Sequence, residues 1–585
     1  MCGIIAFKSK DKVSVNDYLV EGLKKLEYRG YDSFGMAYKS NSVDIIKRVG
    51  KIGEFCFDKG IVSEQGIAHT RWATHGGVNE INAHPHYSKN KKIVVVHNGI
   101  IENYQEIKNF LLNEGYEFIS ETDTEVIPHL IEYFMNSGNN FLNATKLALK
   151  EIEGSFAVVI MHENEMIGAR NGSPLVIGLK DRNYFMASDI PAFLKHTNKV
   201  IFLEDGEMAY IDKNNNIEFY KYESGEIIQK NTKEVNYGVG EAEKGSYPHF
   251  MLKEIEEQKY TIKRAIQQDK ELIRKVVEEI KNAKGVFFVG AGTSYHACFA
   301  ASYLFSHIAK MHVNVVLASE FPNYEDFINE KTLVIALSQS GETADVLEAV
   351  KSAKRKNAKV ISIVNVVGSS LTRLSDYNIM MNAGPEICVL STKSYTSQLA
   401  IIILLAYKII GKEKVAKETI GKVSNIVPKI IENREKIFKI AEKLKDKKDI
   451  FLIGRNSEYP TALEGALKIK EVSYIHAEGF AGGELKHGTI ALIEKGTPVI
   501  VFCSEKTKKQ IISNAMEVKA RGAYVIGIGK EDNEVFDDFL SVDDIKNANN
   551  ILMIIPIQVL AYKLAVLRGL DPDKPRNLAK SVTVK

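Results

Sequence analysis

Val286-Phe287-Phe288-Val289-Gly290, followed by Tyr295, returns 164 residues later as Ile450-Phe451-Leu452-Ile453-Gly454, followed by Tyr459. Each run is short, apolar and closed by glycine, which reads as a buried strand entering a tight turn. The correspondence continues at an offset of 165, where Thr332-Leu333-Val334-Ile335 matches Thr497-Pro498-Val499-Ile500 and residues 358–363 match 523–528. Helical patterns fall between these strands, and such alternation argues parallel α/β units. Two successive α/β domains of one fold are expected, over residues 250–425 and 426–574, with 575–585 as a tail. Chance likeness of buried strands does not explain the matched glycine, tyrosine and spacing together.

The copies differ where their strands end. The first reads Ser338-Gln339-Ser340-Gly341-Glu342-Thr343, the second Cys503-Ser504-Glu505-Lys506-Thr507-Lys508. Hydroxyl residues and a glycine at a helix start make an oxyanion cradle, because N–H groups, hydroxyls and the positive dipole end converge there. With no lysine in the P-loop position a nucleoside triphosphate is not indicated, and a single phosphate ester fits better. The second copy carries another signal. Glu464, Lys468 and Glu471 stand at i, i+4 and i+7 and so share one helix face. A Gly-rich loop from Glu478 to Gly488 follows and carries His487, placed to act as an acid/base near its working pH. In the tail, Lys580 is the only charged residue between Asn577 and Val584. A desolvated lysine there would be a Schiff-base nucleophile for a ketose carbonyl.

Upstream of a Gly-rich, polar linker (241–249), residues 1–240 alternate short β-type runs with helical patterns at Asp17–Leu26 and Glu125–Phe134, as a mixed layered α/β domain would. The domain begins Met1-Cys2-Gly3-Ile4-Ile5-Ala6-Phe7. Loss of Met1 would put a thiol and a free α-amine on one residue, and an α-amine near pKa ~7.7–8.0 is a usable base. Polar residues gather at Arg29-Gly30-Tyr31-Asp32, His69–Gly76, His97-Asn98-Gly99 and Glu121–Glu125. Thioester chemistry on an amide explains the gathering. Arg71 can take a carboxylate bidentately and Asp123 an ammonium, while Asn98 and the Gly99 N–H form an oxyanion hole. Glutamine meets that demand. His69, His75, His84, His86 and His97 lack acidic or cysteine companions at metal-ligand spacing and read as structural or hydrogen-bonded.

The totals exclude other classes. The chain has 585 residues, 77 Lys+Arg against 74 Asp+Glu, and a net charge of +3, which gives no case for nucleic acid. Its five scattered cysteines show no CxxC and fit a reducing, cytoplasmic compartment. Lys8 and Lys10 come too early for a signal-peptide core. The longest apolar runs, 399–407 and 551–562, fall short of the ~20 residues of a spanning helix and read as core, so no membrane is expected. No residue requires a metal, nucleotide or pyridoxal phosphate.

The motifs Cys2-Gly3-Ile4, Arg29–Ser33, His69–Gly76, Asn82–His86, His97–Tyr104 and Ser120–Glu125 resemble the glutaminase domain of N-terminal-nucleophile amidotransferases, an αββα sandwich. Ala291-Gly292-Thr293-Ser294 and Ser338–Thr343 resemble the phosphosugar motifs of the sugar isomerase (SIS) fold, with Ala291 where cysteine is often found. Taken with the tail Pro575–Val584, nearly the whole chain resembles the glutamine–fructose-6-phosphate aminotransferase (isomerizing) family. That resemblance implies Cys2 as nucleophile, with Arg71, Thr74, His75, Asn98, Gly99 and Asp123 around glutamine, and Trp72 gating an ammonia channel. It implies Thr293, Ser294, Ser338, Gln339, Ser340, Thr343, Val389, Ser391, Lys468 and Ala579 around fructose 6-phosphate. His487, from the neighbouring subunit of a homodimer, would open the ring, Lys580 would form the imine, and Glu471 would move the proton between C1 and C2. The product would be glucosamine 6-phosphate, opening hexosamine biosynthesis. Val78 departs from a common proline, and Lys585 from the usual terminal glutamate. Rival readings are an amidotransferase for another phosphosugar, a deglycase, and a non-catalytic phosphosugar sensor.

Overall fold

A computed structural model describes the chain except for Met1, Asn41, Thr74, 236–242 and 584–585. Two compact units emerge: Met1–Ala242 together with Ala579–Lys585, and Glu243–Leu578. The two architectures that the resemblance implies are both visible, as antiparallel sheets in the first unit and parallel ones in the second.

In the first unit, alternation along the opening strand Gly3–Ser14 builds the layers. Successive side chains of a strand point to opposite faces. Ile4 and Ala6 face a core shared with Val94, Val96, Ala157 and Val159 of the other sheet. Ile5 and Phe7 face the opposite way, against Leu19, Leu23 and Leu26 of the first helical segment. The second sheet repeats the device: Val95, Val158 and Ile160 pack beneath helices Tyr104–Asn113, Val126–Asn136 and Phe141–Glu151. An eight-stranded and a seven-stranded sheet are thus stacked between helices, the expected αββα sandwich. Gly3–Ser14 lies inside its sheet, flanked by Asn183–Ala187 and Val62–Arg71.

In the second unit each repeat forms a five-stranded, all-parallel sheet. The first orders its strands Asn314–Leu317, Gly285–Gly290, Thr332–Ser338, Lys359–Val364, Tyr377–Met380. The second orders them His476–Ala481, Asp449–Gly454, Pro498–Cys503, Tyr524–Gly529, Asp538–Ser541. Both are 2-1-3-4-5, and the shared order confirms the repeat independently of residue identity. One hydrophobic core runs through both copies.

Residues 250–284, heavy in Glu, Lys and Ile, carry a helical pattern that the structure divides into Phe250–Ala265 and Lys270–Asn282, where the Asp269 carboxylate caps the second by accepting from the Leu272 N–H at 2.7 Å. The reading of run 551–562 as core holds, and only its length needs correction. The run 551–562 belongs to a 19-residue helix, Asn549–Leu567, which by length and composition could cross a membrane. Most of it is buried in the protein, against helices Glu458–Ser473 and Arg434–Leu444. The run 399–407 is likewise buried, inside helix Lys393–Ile409.

The glycines closing the two signature strands allow the following helix to approach. A Cβ on Gly454 would stand 2.2 Å from the Glu458 carbonyl oxygen, and one on Gly290 would stand 2.9 Å from the Ser294 carbonyl carbon. Gly454→Ala should therefore destabilise the second unit by about 2 kcal/mol or more, in the range of overpacking, and Gly290→Ala by less. Urea unfolding of the full chain measures both, and equal tolerance would contradict the close-approach argument.

Candidate active site

Strand register places the first centre. Gly3 pairs with Thr70, and Ser33 on the next strand pairs with Arg71, so Cys2 emerges beside the end of Val62–Arg71. The Trp72 N–H donates to Cys2 Sγ at 3.3 Å, and the thiol donates to the Trp72 carbonyl at 3.6 Å. Burial pushes the Cys2 thiol up from its ordinary value, while the Trp72 bond and Arg71 oppose that rise. The thiol needs a nearby base to ionise.

The strand Ile93–Ile101 of the other sheet brings Asn98, whose Nδ2 donates to the Cys2 carbonyl at 2.9 Å. The orientation of that amide follows from His69. His69 Nε2 lies 2.9 Å from the His97 carbonyl and 3.0 Å from Asn98 Oδ1. Both oxygens accept, so Nε2 carries the proton, and Asn98 must turn its NH₂ toward Cys2. Next to it, Gly99 has φ +132°, and a Cβ there would sit 1.8 Å from the Ser155 carbonyl oxygen. Only glycine fits. Asp123 is buried, and its Oδ2 accepts from the Ile101 N–H at 2.8 Å.

Arg71 is buried and donates to the carbonyls of Gly77 (3.1 Å), Gly76 (3.0 Å) and His75. Its guanidinium shapes the 75–77 loop. His75 is half-buried, edge-on to Tyr104 at 5.1 Å, and Trp72 is half-buried. Thr74 lies outside the described residues. Asp32, quoted in the sequence motif without a role, accepts from the Ala73 N–H at 2.9 Å and fixes the chain after Trp72.

The histidines form a buried cluster. His69 stacks on His84 at 4.1 Å, His97 Nδ1 meets Thr124 Oγ1 at 2.9 Å, and His86 Nε2 meets Thr122 Oγ1 at 3.0 Å. Burial holds all four below the ordinary histidine value of 6.5, His69 down to about 3. They are neutral hydrogen-bonding groups at physiological pH.

The second centre lies in the second unit, where the two repeats meet. The turn after strand Thr332–Ser338 winds around the Ser338 hydroxyl, which accepts from the Gly341 N–H at 2.9 Å and lies 3.3 Å from Thr343 Oγ1. Ser340 Oγ accepts from the Glu342 N–H at 3.1 Å, and Gln339 gives its carbonyl to Asn365. Ser294 accepts from the Gln398 amide at 2.9 Å. Thr293 reaches the other copy: its hydroxyl donates to Glu464 Oε1 at 3.1 Å and accepts from Lys468 Nζ at 2.9 Å.

Glu464 and Lys468 are fully buried, so a spacing that reads as a surface Glu–Lys pair is here an interior one. Lys468 lies 2.6 Å from Glu471 and 3.4 Å from Glu464, and His296 Nδ1 lies 2.7 Å from the other Glu464 oxygen. Burial alone would lower the Lys468 value, but the two carboxylates outweigh it and raise it. The residue is a fixed cation, unsuited to attack a carbonyl. Glu471 keeps 19% of its side chain exposed and can meet a substrate. His296 carries no local sequence signal, and Glu464 shows only its helix-face spacing to Lys468, because the Thr293 and His296 partners of Glu464 lie 171 and 168 residues away in the chain.

Val389 gives its N–H to the Asp573 carbonyl at 3.1 Å, which ties the 388–390 loop to the chain entering the tail. The Asp573 carboxylate in turn accepts from the Phe250 and Met251 N–H groups. Ser391 is half-buried. His487 is exposed at the end of the turn Gly482–His487 and makes no hydrogen bond among the described residues. Ala579 and Lys580 are half-buried and group with the first unit. Val78 is exposed, and Lys585 lies outside the described residues.

The neutral histidine cluster has a measurable consequence. A histidine whose folded value is depressed resists the proton that the unfolded chain accepts, so stability falls as pH drops through about 6.5 and goes on falling toward about 3 for His69. Melting followed at pH 7.5 and pH 5.5 should show the first unit losing stability at the lower pH. An unchanged transition would mean the cluster titrates freely.

The glutamine amidotransferase domain family matches residues 69–195, and the SIS domain family matches 279–408 and 443–568. Relatives named glutamine–fructose-6-phosphate aminotransferase [isomerizing] include those of Thermococcus kodakarensis, 48% identical, and Pyrococcus horikoshii, 46% identical, each aligned over 100% of both chains. Among solved structures, the C-terminal domain of the glucosamine-fructose-6-phosphate aminotransferase from Francisella tularensis is 34% identical with a TM-score of 0.54, covering 57% of this chain and 99% of that one. With both centres present in an αββα sandwich and a duplicated SIS unit, the chain belongs to the glutamine–fructose-6-phosphate aminotransferase (isomerizing) family.

Proposed function

We propose that the chain hydrolyses glutamine at Cys2 and passes the ammonia to fructose 6-phosphate, forming glutamate and glucosamine 6-phosphate, the entry to amino-sugar synthesis. The observation that carries the reading is the Asn98 amide, fixed by His69 and held against Cys2. Removal of Met1 gives Cys2 its own α-amine as base. The thiolate attacks the side-chain amide carbon, the Asn98 Nδ2 and Gly99 N–H receive the developing oxyanion, and ammonia departs with the proton. Water then cleaves the thioester to glutamate. Arg71 and Asp123 hold the α-carboxylate and α-ammonium of glutamine, Thr74 and His75 line the pocket, and Trp72 gates the ammonia.

At the second centre the Ser338–Thr343 cradle takes the phosphate, with Ser294 and Gln339 beside it and Val389, Ser391 and Ala579 lining the sugar. His487 opens the ring. Lys580 forms the imine at C2, releasing water, and ammonia displaces the lysine amine. Glu471, held by the Lys468 ammonium, moves the proton between C1 and C2. The water consumed at Cys2 is returned in the imine step, so glutamine and fructose 6-phosphate balance glutamate and glucosamine 6-phosphate. The fixed charge of Lys468 supports Lys580 as imine former. The exposure of His487, without a hydrogen-bond partner among the described residues, supports its supply to a neighbouring copy in a homodimer. The absence of a need for oxidised cysteines supports a cytoplasmic setting.

Incubating the purified chain with glutamine and fructose 6-phosphate and assaying glucosamine 6-phosphate tests the whole reading; glutamine consumption with a different sugar phosphate alone would overturn it. Cys2→Ala should abolish glutamine hydrolysis and leave sugar-phosphate binding intact. Thr343→Ala or Ser338→Ala should weaken fructose 6-phosphate binding by about 1–3 kcal/mol, the loss of a hydrogen bond to a charged group, whereas Thr507→Ala should not.

Borohydride with fructose 6-phosphate should add one sugar to a peptide containing Lys580, and Lys580→Arg should lose synthesis while keeping glutaminase activity. A label on Lys468 or Lys486 would make the tail structural. The shared site has its own test. Mixing inactive His487→Ala and Glu471→Gln chains should restore up to about a quarter of parental synthesis through mixed twofold dimers. A mixture that stays inactive although the dimers exchange would place His487 in its own chain's site.

A further inference from the structure

The second repeat contains the counterpart of the phosphate cradle, and that counterpart is occupied by the protein itself. In a 2-1-3-4-5 sheet the strand order reverses between the first and third strands, and ligands bind outside their carboxyl ends. In the first repeat this place holds the Ser338–Thr343 turn and the start of helix Thr293–Leu304. In the second it holds Ser504–Thr507 and the start of helix Glu458–Ser473. The offset of 164 aligns the two helix entries residue by residue. Gly292 and Asn456 both have positive φ, 54° and 60°, and the preceding glycines, Gly290 and Gly454, make the same close approach.

At that alignment Glu458 stands where the first repeat has Ser294. Its side chain turns inward and is 2% exposed. The Ser457 hydroxyl donates to Oε1 at 3.0 Å, and in the turn after the third strand Ser504 Oγ lies 3.0 Å from Thr507 Oγ1. Oε2 is buried with no hydrogen-bond partner. An acidic residue in the first turn of a helix is common and modestly favourable when exposed to solvent. Glu458 is shut in: burial, with Asp544 adding to it, pushes its carboxyl up to about 7 against the opposing hydroxyls. The Lys506 ammonium of the same turn is turned to the His307 ring, 3.0 Å from its Nε2. Glu458 thus fills the place an oxyanion would take, at the start of a helix, with the Ser457 hydroxyl on Oε1 and the linked Ser504 and Thr507 hydroxyls in the neighbouring turn.

We propose that the second repeat keeps an anion site of the phosphate-monoester class whose ligand is the chain's own Glu458 carboxyl, and that this internal ligand excludes phosphate from it. The argument rests on the reading of the first cradle only for the class of anion. Its consequence is specificity of number: a duplicated fold with two crevices offers a sugar phosphate one of them.

Equilibrium dialysis of the full chain against labelled inorganic phosphate, counted per chain, tests the proposal. Glu458→Ser should bind one equivalent more than the parent, and adding Ser504→Ala with Thr507→Val should remove that extra equivalent. Glu458→Gln, which fills the same volume, should keep the parental count, and Glu458→Ala, which vacates the place without adding a hydroxyl, should gain the equivalent and decides the matter if the serine variant does not fold. A folded Glu458→Ser chain with the parental count overturns the proposal. So does an extra equivalent that survives loss of Ser504 and Thr507, or one that appears in Glu458→Gln. The first cradle is read separately, from the parental count and its loss in Ser338→Ala with Thr343→Ala, so that failure there leaves the gain in Glu458→Ser still decisive.

Discussion

The buried ammonium of Lys468 ties the two repeats of the second unit together. Lys468 has no exposed surface and is surrounded by Glu464, Glu471 and the Thr293 hydroxyl. Moving such a group out of water costs several kcal/mol, which only close carboxylates can offset. The arrangement is therefore all or nothing. Removing one partner leaves a buried charge uncompensated, typically at a cost of about 3–5 kcal/mol. Because Thr293 belongs to the first repeat and the three charged residues to the second, the ion cluster also fixes how the copies meet. The start of helix Thr293–Leu304 and the Glu471 carboxylate are set against each other by the same bonds that neutralise the lysine.

The first unit solves its positioning problem by register. Two β-sheets stacked face to face place each residue of the opening strand by parity, with Ile4 and Ala6 inward and Ile5 and Phe7 toward the helices. Slipping the strand by one residue would exchange those faces. Cys2 is therefore located as firmly as the core itself. The neutral His69 then converts a position into a direction, because its one proton dictates which end of the Asn98 amide faces Cys2. Four buried histidines held neutral do structural hydrogen bonding that a charged ring would disrupt.

Much of this was legible in the sequence, for identifiable reasons. The repeat showed because buried parallel strands leave contiguous apolar runs whose closing glycines cannot vary in size. The strands about Ile4, Val94 and Val158 showed through their β-branched residues, and the cradle through hydroxyls clustered at a strand end. The Glu464–Lys468 pair did not show its burial, since its spacing is also that of solvent-exposed helix pairs and its partners Thr293 and His296 lie in the other repeat. The break at 266–269 hid in residues compatible with helix, and was set by the Asp269 cap. His69 gave no signal of its role, because its bonds to His97 and Asn98 exist only after the sheets stack.

The duplicated unit also shows how two copies of one fold divide labour without changing topology. Strand order and a positive-φ residue at the helix entry are retained in both. What differs is the first turn of the helix after the signature strand and the turn after the third strand. In the first copy the helix opens with Thr293 and Ser294 and leaves the cradle to hydroxyls. In the second, the same helix starts with a carboxyl and carries Glu464, Lys468 and Glu471 along its next turns, facing the other copy. The asymmetry between the copies is thus concentrated in side chains at equivalent backbone positions, which is where a conserved architecture can acquire two functions at least structural cost.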